Sequence, residues 1–249
     1  MLNIENQILS AVELIKKSGY TTVFTGAGIS VESGIPPFRG NDGLWSKYDP
    51  RVLDLGYFYT NPLQSWIVIK EIFYDFFGKA LPNPAHKVLA HMQSNKLVHS
   101  IITQNIDNLH QDAGASGVIE YHGNSQKLIS LKTGKIFSVK EVNLEQLPPL
   151  CPDGGLLKPN FIFFGENIPQ DAYRMSLESA AKSKVLIIIG TTGEVSPANY
   201  IPRVAKQHGA KIIEINTEDS LYTNSVTDIM LKGRASEIML KIESKLFDN

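Results

Sequence analysis

The stretch FTGAGISVESGIPPFRG, from Phe24 to Gly40, decides the fold of this chain. It leaves the apolar run Tyr20 to Thr25, passes at once into glycines and small residues, and ends in Pro36-Pro37 and the pair Phe38-Arg39. A short β-branched run bounded by turn residues is a buried strand, and Gly26-Ala27-Gly28 puts a tight turn at its carboxyl end, where open α/β sheets hold ligands. Glycines there let a phosphate approach main-chain N–H groups near a helix N-terminus. The same turn also serves as a plain strand-to-helix connection, and the dinucleotide pattern GxGxxG is incomplete because Val31 holds the third glycine position.

Working outward, Ile8, Val12 and Ile15 recur at helical spacing, and Ser18-Gly19 ends that helix before the first strand. Similar strands are expected at His99 to Thr103, Lys184 to Gly190 and Lys211 to Asn216, with a weaker one near Asp228 to Leu231. Helical patterns between several of them predict an α/β fold with a Rossmann-type parallel sheet covered on both faces. Two segments break the rhythm: residues 40–92 carry the aromatic helical stretch LQSWIVIKEIFYDFF, and residues 124–159 are short and turn-rich, ending in PPLCPDGG. They read as insertions that fold together into a smaller second domain, which leaves 1–39, 93–123 and 160–249 to the large one.

The 249 residues suffice for such a pair. With 24 basic against 25 acidic residues and no Lys/Arg run, a nucleic-acid partner is not expected. No apolar stretch is long enough to cross a bilayer and the N-terminus reads as an amphipathic helix, so no membrane partner and a cytoplasmic location are expected. Cys151 is the only cysteine, which rules out an intramolecular disulfide.

GAGIS with GIPPFRG, TQNIDNLHQDAG at 103–114, YHGN at 121–124, NFIFFGE at 160–166, GTTGEVSPAN at 190–199 and IIEIN at 212–216 occur in the order and at the spacings of the sirtuins. The chain resembles that family from about Thr21 to Ala235. The resemblance implies a Rossmann-type domain with a small second domain, NAD as cofactor, and removal of acyl groups from lysine side chains of protein or peptide substrates. An amide oxygen is a weak nucleophile, so such a site must pre-position it and favour an oxocarbenium-like state.

By resemblance, Gly26, Ala27, Gly28 and Ser30 hold the cofactor. Gln104 and Asn105 contact the nicotinamide ribose and order a water, and Asp107 bonds the nicotinamide carboxamide with Ile35 and Ile106 nearby. Asn and Asp after a strand also commonly cap the next helix. His122 is the implied general base, since an imidazole with an ordinary pKa near ~6.5 accepts a ribose hydroxyl proton at neutral pH. His86, His91, His99, His110 and His208 are taken as structural or surface residues. Phe38 would shield the ribose and Arg39 would meet the phosphates; a Phe in the interdomain seam and a solvated Arg are the plain alternative. Gly190, Thr191 and Thr192 are implied phosphate neighbours, Asn216 and Glu218 border the adenosine ribose, and Gly233, Arg234 and Ala235 border the adenine.

Phe161, Ile162, Phe163, Phe164, Gly165 and Glu166 match the family's segment that pairs with an extended substrate, with Phe163 and Phe164 as walls of a tunnel for the lysine stem. Ile69 and Ile72 stand where members that take acidic acyl groups carry Tyr and Arg, which favours a neutral acyl group, acetyl or longer. One departure concerns metal. Most sirtuins hold zinc with two Cys-x-x-Cys pairs; here the first pair falls on Ser130 and Thr133, and the second has become CPDGG with Cys151 alone. One thiolate cannot complete a tetrahedral zinc site, so no metal is expected and Leu128, Ile129, Ile136, Phe137, Val139 and Leu144 are expected to supply the core instead. Zinc-free relatives include mono-ADP-ribosyltransferases and NAD-consuming domains. Mono-ADP-ribosylation, NAD glycohydrolysis and a noncatalytic NAD sensor therefore stand beside deacylation.

Overall fold

A computed structural model of the chain describes residues 3–38 and 43–247. In chain order the strands are β1 (Thr21–Thr25), β2 (Ser100–Thr103), β3 (Ile119–Glu120), β4 (Gly123–Ser130), β5 (Ile136–Ser138), β6 (Leu157–Phe161), β7 (Val185–Ile189), β8 (Lys211–Asn216) and β9 (Ile229–Lys232). The helices are α1 (Ile4–Lys17), α2 (Leu55–Thr60), α3 (Pro62–Ile69), α4 (Pro84–Ser94), α5 (Leu109–Asp112), α6 (Gln170–Lys182), α7 (Ile201–Gln207) and α8 (Ala235–Phe247). Helix α1 opens on Asn3, whose side chain accepts from the Glu5 N–H, and closes on Lys16 and Lys17, which suit its carboxyl end.

The large sheet is parallel, in the order β3-β2-β1-β7-β8-β9, the doubly wound arrangement. Side chains alternate between its faces. Val23, Ile101, Ile187 and Ile213 pack under α1, α4 and α8, while Phe24, Ile102, Ile188 and Ile212 pack under α6 and α7. After β1 the chain builds one side of the sheet, and from β7 the other, so β1 and β7 lie side by side at the topological switch point. The apolar run before His122 supplies β3, a short edge strand beside β2.

A second, three-stranded antiparallel sheet, β5-β4-β6, forms the small lobe. Its limits differ from the expected ones at two places. Helix α4 belongs with the large sheet, because Ala85, Val88, Leu89 and Met92 are buried in the same core as α1 and α8. Strand β6 reaches Phe161 while paired with β4, so residues 160 and 161 sit in the small sheet. The lobe's core also differs. Ile136 is 53% exposed, and of the six residues expected there Leu128 alone is fully buried. The bulk comes instead from α2 and the aromatic helix: Phe58 of α2, with Trp66, Ile69, Ile72 and Phe73, packs on Leu128, Leu157, Phe161 and Phe163. Trp66 Nε1 donates to the Leu157 carbonyl at 2.8 Å, which ties that helix to β6. Beyond α3 the helix widens into a π-helical turn over Lys70–Phe76, which places Ile72 and Phe73 inward and Phe76 in solvent.

Candidate active site

At the carboxyl ends of β1 and β7 two turns touch backbone to backbone. Gly26 N–H donates to Ile189 O at 3.0 Å and Gly28 N–H to Gly190 O at 2.8 Å. A Cβ on Gly28 would stand 2.6 Å from Gly190 Cα, and Gly190 itself has φ +64°. The immediate reason for these glycines is therefore the approach of the two turns, and their N–H groups are already spent. Those of Ala27, Thr191 and Thr192 have no partner among the described residues and cluster at the same edge. Unpaired N–H groups converging at a switch point make an anion cradle, so a pyrophosphate fits the residues present.

Beside the cradle, the residues after β2 form one hydrogen-bonded set. Gln104 Nε2 donates to Thr191 Oγ1 at 3.2 Å. Asn105 is buried, and its Nδ2 donates to Gly26 O and to Ser30 Oγ, both at 3.1 Å, which leaves its Oδ1 free. Ser30 Oγ donates in turn to Asp107 Oδ2 at 2.7 Å, while Asp107 Oδ1 accepts from the Leu109 N–H at the start of α5. Asp107 thus caps that helix as well as facing the site; burial raises its pKa above the ordinary value, against the pull of the Leu109 and Ser30 bonds. Ile35 is buried, and Ile106 carries its side chain into the small-lobe core while its carbonyl accepts from Ser125.

His122 lies after β3, and its Nδ1 is 3.0 Å from the Gln104 carbonyl. A carbonyl only accepts, so Nδ1 carries the proton and Nε2 keeps its lone pair. Burial lowers the His122 pKa below the ordinary 6.5, opposed by the bond to Gln104. The ring is neutral near pH 7 and its free nitrogen is a base. Of the remaining histidines, His91, His99 and His208 are exposed. His86 and His110 are wholly buried with ring centroids 4.9 Å apart, behind Ser30 and Thr25. Burial pushes their pKa values down to about 4 and about 3. Phe38 lies tilted against Trp45, ring centroids 5.6 Å apart, and packs against the small-lobe core. Arg39 lies outside the described residues.

At the far side of the cradle, Asn216 Nδ2 donates to Thr191 O at 2.9 Å and the Gly233 N–H to Asn216 O at 2.9 Å. These bonds gather Thr191, Asn216 and Gly233-Arg234-Ala235. Glu218 and Arg234 are exposed, with Glu218 3.4 Å from Lys232 Nζ, and Ala235 is buried at the start of α8. Glu214 of IIEIN accepts hydrogen bonds from Asn216, Ser220, Thr223 and Thr227 in this corner. Its signal in the sequence was a lone carboxylate inside an apolar strand.

Residues 161–166 are more internally paired than an open strand. Phe163 N–H donates to Glu166 Oε2 at 2.6 Å, and the backbone of Phe164 is bonded on both sides to Leu53 and Leu55. Gly165 N–H and the carbonyls of Gly165 and Glu166 are free among the described residues. The two phenylalanines also part company. Phe163 is buried in the small-lobe core, whereas Phe164 is 47% exposed and lines a cavity of about 410 Å³ with Trp45, Pro50, Arg51 and Asp54. Glu166 also pairs with the buried Lys158 Nζ at 2.9 Å. Ile69 and Ile72 are buried with apolar neighbours. At the turn of SLKTGK, Ser130 Oγ accepts the N–H groups of Lys132 and Thr133, and Cys151 Sγ donates to Asp153. Among the described residues no three His, Cys, Asp or Glu side chains are placed to hold a metal ion.

The Sir2 family model matches residues 26–197. NAD-dependent protein deacylase 2 of Pyrobaculum aerophilum is 41% identical over 94% of this chain and 94% of its own length. The NAD-dependent protein deacylase of Aquifex aeolicus is 42% identical over 88% of this chain and 91% of its own. Among solved structures, a Sir2 with p53 peptide and NAD+ superposes with a TM-score of 0.87 at 34% identity, covering 95% of this chain and 97% of that one. A Sir2 variant with deacetylated p53 peptide and 3'-O-acetyl ADP ribose gives 0.89 at 33% identity, covering 96% and 98%.

Proposed function

The chain belongs to the Sir2 family and is an NAD-dependent protein deacylase; we propose that it acts on neutral acyl groups, acetyl or longer, with His122 as its general base. The observation that carries the assignment of the base is the hydrogen bond from His122 Nδ1 to the Gln104 carbonyl. It fixes the tautomer whose Nε2 can accept a proton, and burial keeps that nitrogen unprotonated at neutral pH.

NAD, when bound, supplies an activated ribose carbon and a nicotinamide leaving group. The N–H groups of Ala27, Thr191 and Thr192 would hold its pyrophosphate, with Gly26, Gly28 and Gly190 keeping the two turns close enough to share it. Asn216, Glu218, Arg234 and Ala235 would border the adenosine. Asn105, anchored through Nδ2, would present Oδ1 to an ordered water, and Gln104 would hold the nicotinamide-side ribose while bonded to Thr191. Asp107, with Ser30, Ile35 and Ile106, would take the carboxamide, and Phe38 would exclude water from above. His122 Nε2 would take the proton of the ribose hydroxyl that attacks the acyl carbon.

The substrate chain would add to the free backbone of Gly165 and Glu166, with Phe164 and Trp45 beside the lysine stem. Apolar Ile69 and Ile72 offer no cation for an acidic acyl group. The small lobe is proposed to stand without zinc, because the bonds at Ser130 and Cys151 close the two turns that metal would otherwise join. Substrates are expected among cytoplasmic proteins.

The experiment is an acyl-chain panel with products identified by mass spectrometry. Nicotinamide and O-acyl-ADP-ribose should form only with acyl-lysine peptide present, and acetyl or longer neutral chains should be preferred over succinyl. ADP-ribose released without peptide would indicate a glycohydrolase, and a labelled protein a transferase. Metal analysis should find zinc well below one equivalent; one tightly bound equivalent would overturn the zinc-free reading.

A further inference from the structure

We infer that Glu214 is a positioning residue for the deacylase reaction, holding the adenosine-side loop and the Thr191–Gly193 turn in one arrangement for the dinucleotide. The inference rests on the placement of the nucleotide proposed above. Glu214 is 0% exposed in the middle of β8. A carboxylate there is tolerated only if donors surround it. Four do. Oε1 accepts from Ser220 Oγ at 2.5 Å and Asn216 Nδ2 at 3.4 Å, and Oε2 accepts from Thr227 Oγ1 at 2.6 Å and Thr223 Oγ1 at 3.0 Å.

Three of the four donors, Asn216, Ser220 and Thr223, have their other capacity committed in a way that passes the constraint outward. Asn216 Nδ2 spends its second N–H on Thr191 O at 2.9 Å. Ser220 Oγ accepts the Tyr222 N–H at 3.0 Å, and Thr223 Oγ1 accepts the Ser220 N–H at 2.8 Å. Between them the Leu221 N–H donates to Thr192 O at 3.0 Å. Tyr222 is wholly buried beneath the turn, so close that a Cβ on Gly193 would stand 2.9 Å from its ring. One carboxyl group therefore reaches both carbonyls of the Thr191-Thr192 pair, through Asn216 on one path and through Ser220 and Leu221 on the other. Thr191 Oγ1 accepts from Gln104, which carries the link across to the His122 side. An acceptor-only group suits this centre, because each hydroxyl it holds must point its hydrogen inward and keep its lone pairs outward, and the Asn216 amide must turn one N–H inward and the other to Thr191.

Glu214→Gln keeps size and shape but replaces one acceptor oxygen with a donor. Two of the four hydrogens then face an N–H group, and a hydroxyl that turns to accept from it must find another acceptor for its own hydrogen. The adenosine-side loop and the Thr191–Gly193 turn lose their common anchor, while the bond that orients His122 is made by the Gln104 backbone carbonyl and is kept. The test is ADP-ribose affinity by calorimetry alongside steady-state kinetics. Glu214→Gln should weaken ADP-ribose binding about tenfold, about 1.4 kcal/mol, and raise the NAD KM by a similar factor. Its kcat and the KM for acetyl-lysine peptide should stay within about twofold of wild type. A folded Glu214→Gln protein that binds ADP-ribose as tightly as wild type would overturn the inference, as would an equal rise in both KM values. If that variant does not fold, Ser220→Ala and Thr227→Val remove single arms and should each weaken ADP-ribose about threefold; unchanged affinity in both refutes the role. Wild-type protein that binds ADP-ribose but turns over no acyl peptide would sink the deacylase reading and leave standing the part of Glu214 in holding the dinucleotide.

Discussion

Acid should destabilise this protein through His86 and His110 before its carboxylates matter. In the folded state Thr25 Oγ1 donates to Thr103 Oγ1, so His110 Nε2, 3.0 Å from Thr25 Oγ1, is the protonated nitrogen and the buried Nδ1 is bare. Nδ1 of His110, like Nδ1 of His86, has no partner among the described residues. A second proton would therefore bring a charge and a donor with nothing to receive it. Burial sets the folded pKa values at about 4 for His86 and about 3 for His110, against 6.5 for an ordinary imidazole. Both folded values are depressed, so the stability is fully present above pH 6.5 and is lost as pH falls from there toward the folded values. Between about pH 8 and about pH 5 each ring takes up a proton in the unfolded chain that it refuses in the folded one, costing about 2 kcal/mol per histidine. The pair costs about 4 kcal/mol, a large share of the roughly 5–15 kcal/mol that holds a typical domain. Urea titrations monitored by tryptophan fluorescence at the two pH values measure this directly, and His110→Gln should abolish about half of the difference. A wild-type loss below about 1 kcal/mol, or a His110→Gln variant with the full wild-type dependence, would refute the reasoning.

The other expectations concern single positions. His122→Ala should lower kcat by about 10²–10⁴ while ADP-ribose affinity stays unchanged, and wild-type kcat/KM should fall toward acid along a limb centred below 6.5, because protonation of Nε2 removes the base. Retained turnover in the variant would dismiss the role. Gly28→Ala should lower stability and nucleotide affinity together, since its Cβ meets Gly190 at 2.6 Å and the two turns must separate; thermal unfolding with and without ADP-ribose reads both. Lys158→Met removes the 2.9 Å partner of the Glu166 carboxylate and the donor to the Phe161 carbonyl and should cost about 1 kcal/mol, with faster amide exchange at Phe163, whose N–H Glu166 holds. Chelation of wild-type protein should change neither its unfolding temperature nor its activity, and a drop in either would restore a metal to the small lobe.

Much of this protein is legible along the chain because the informative patterns are local. Buried parallel strands require continuous apolar runs, so β1, β2, β7 and β8 announce themselves within a residue of their true ends. The turn after β1 needs glycine for steric reasons, and a histidine following a strand edge is a compact motif. The family resemblance rests on such short ordered segments, and it implied a Rossmann-type sheet with a small second domain, which is the architecture found.

What the chain could not disclose depends on which distant groups meet. That Gly26 and Gly28 are spent on Gly190 rather than on a ligand follows from two turns about 160 positions apart in sequence touching backbone to backbone. The tautomer of His122 is set by a carbonyl contributed from the end of another strand. Helix α4 reads as part of an insertion, yet its apolar face finds the large sheet, because burial area and not order along the chain decides where an amphipathic helix rests. Glu214 is a single charge in an apolar run until the loop after it folds back and turns three hydroxyls and an amide onto its oxygens. Local pattern chose the elements; the pairing of buried polar groups, which must be completed across the whole fold, chose how they meet.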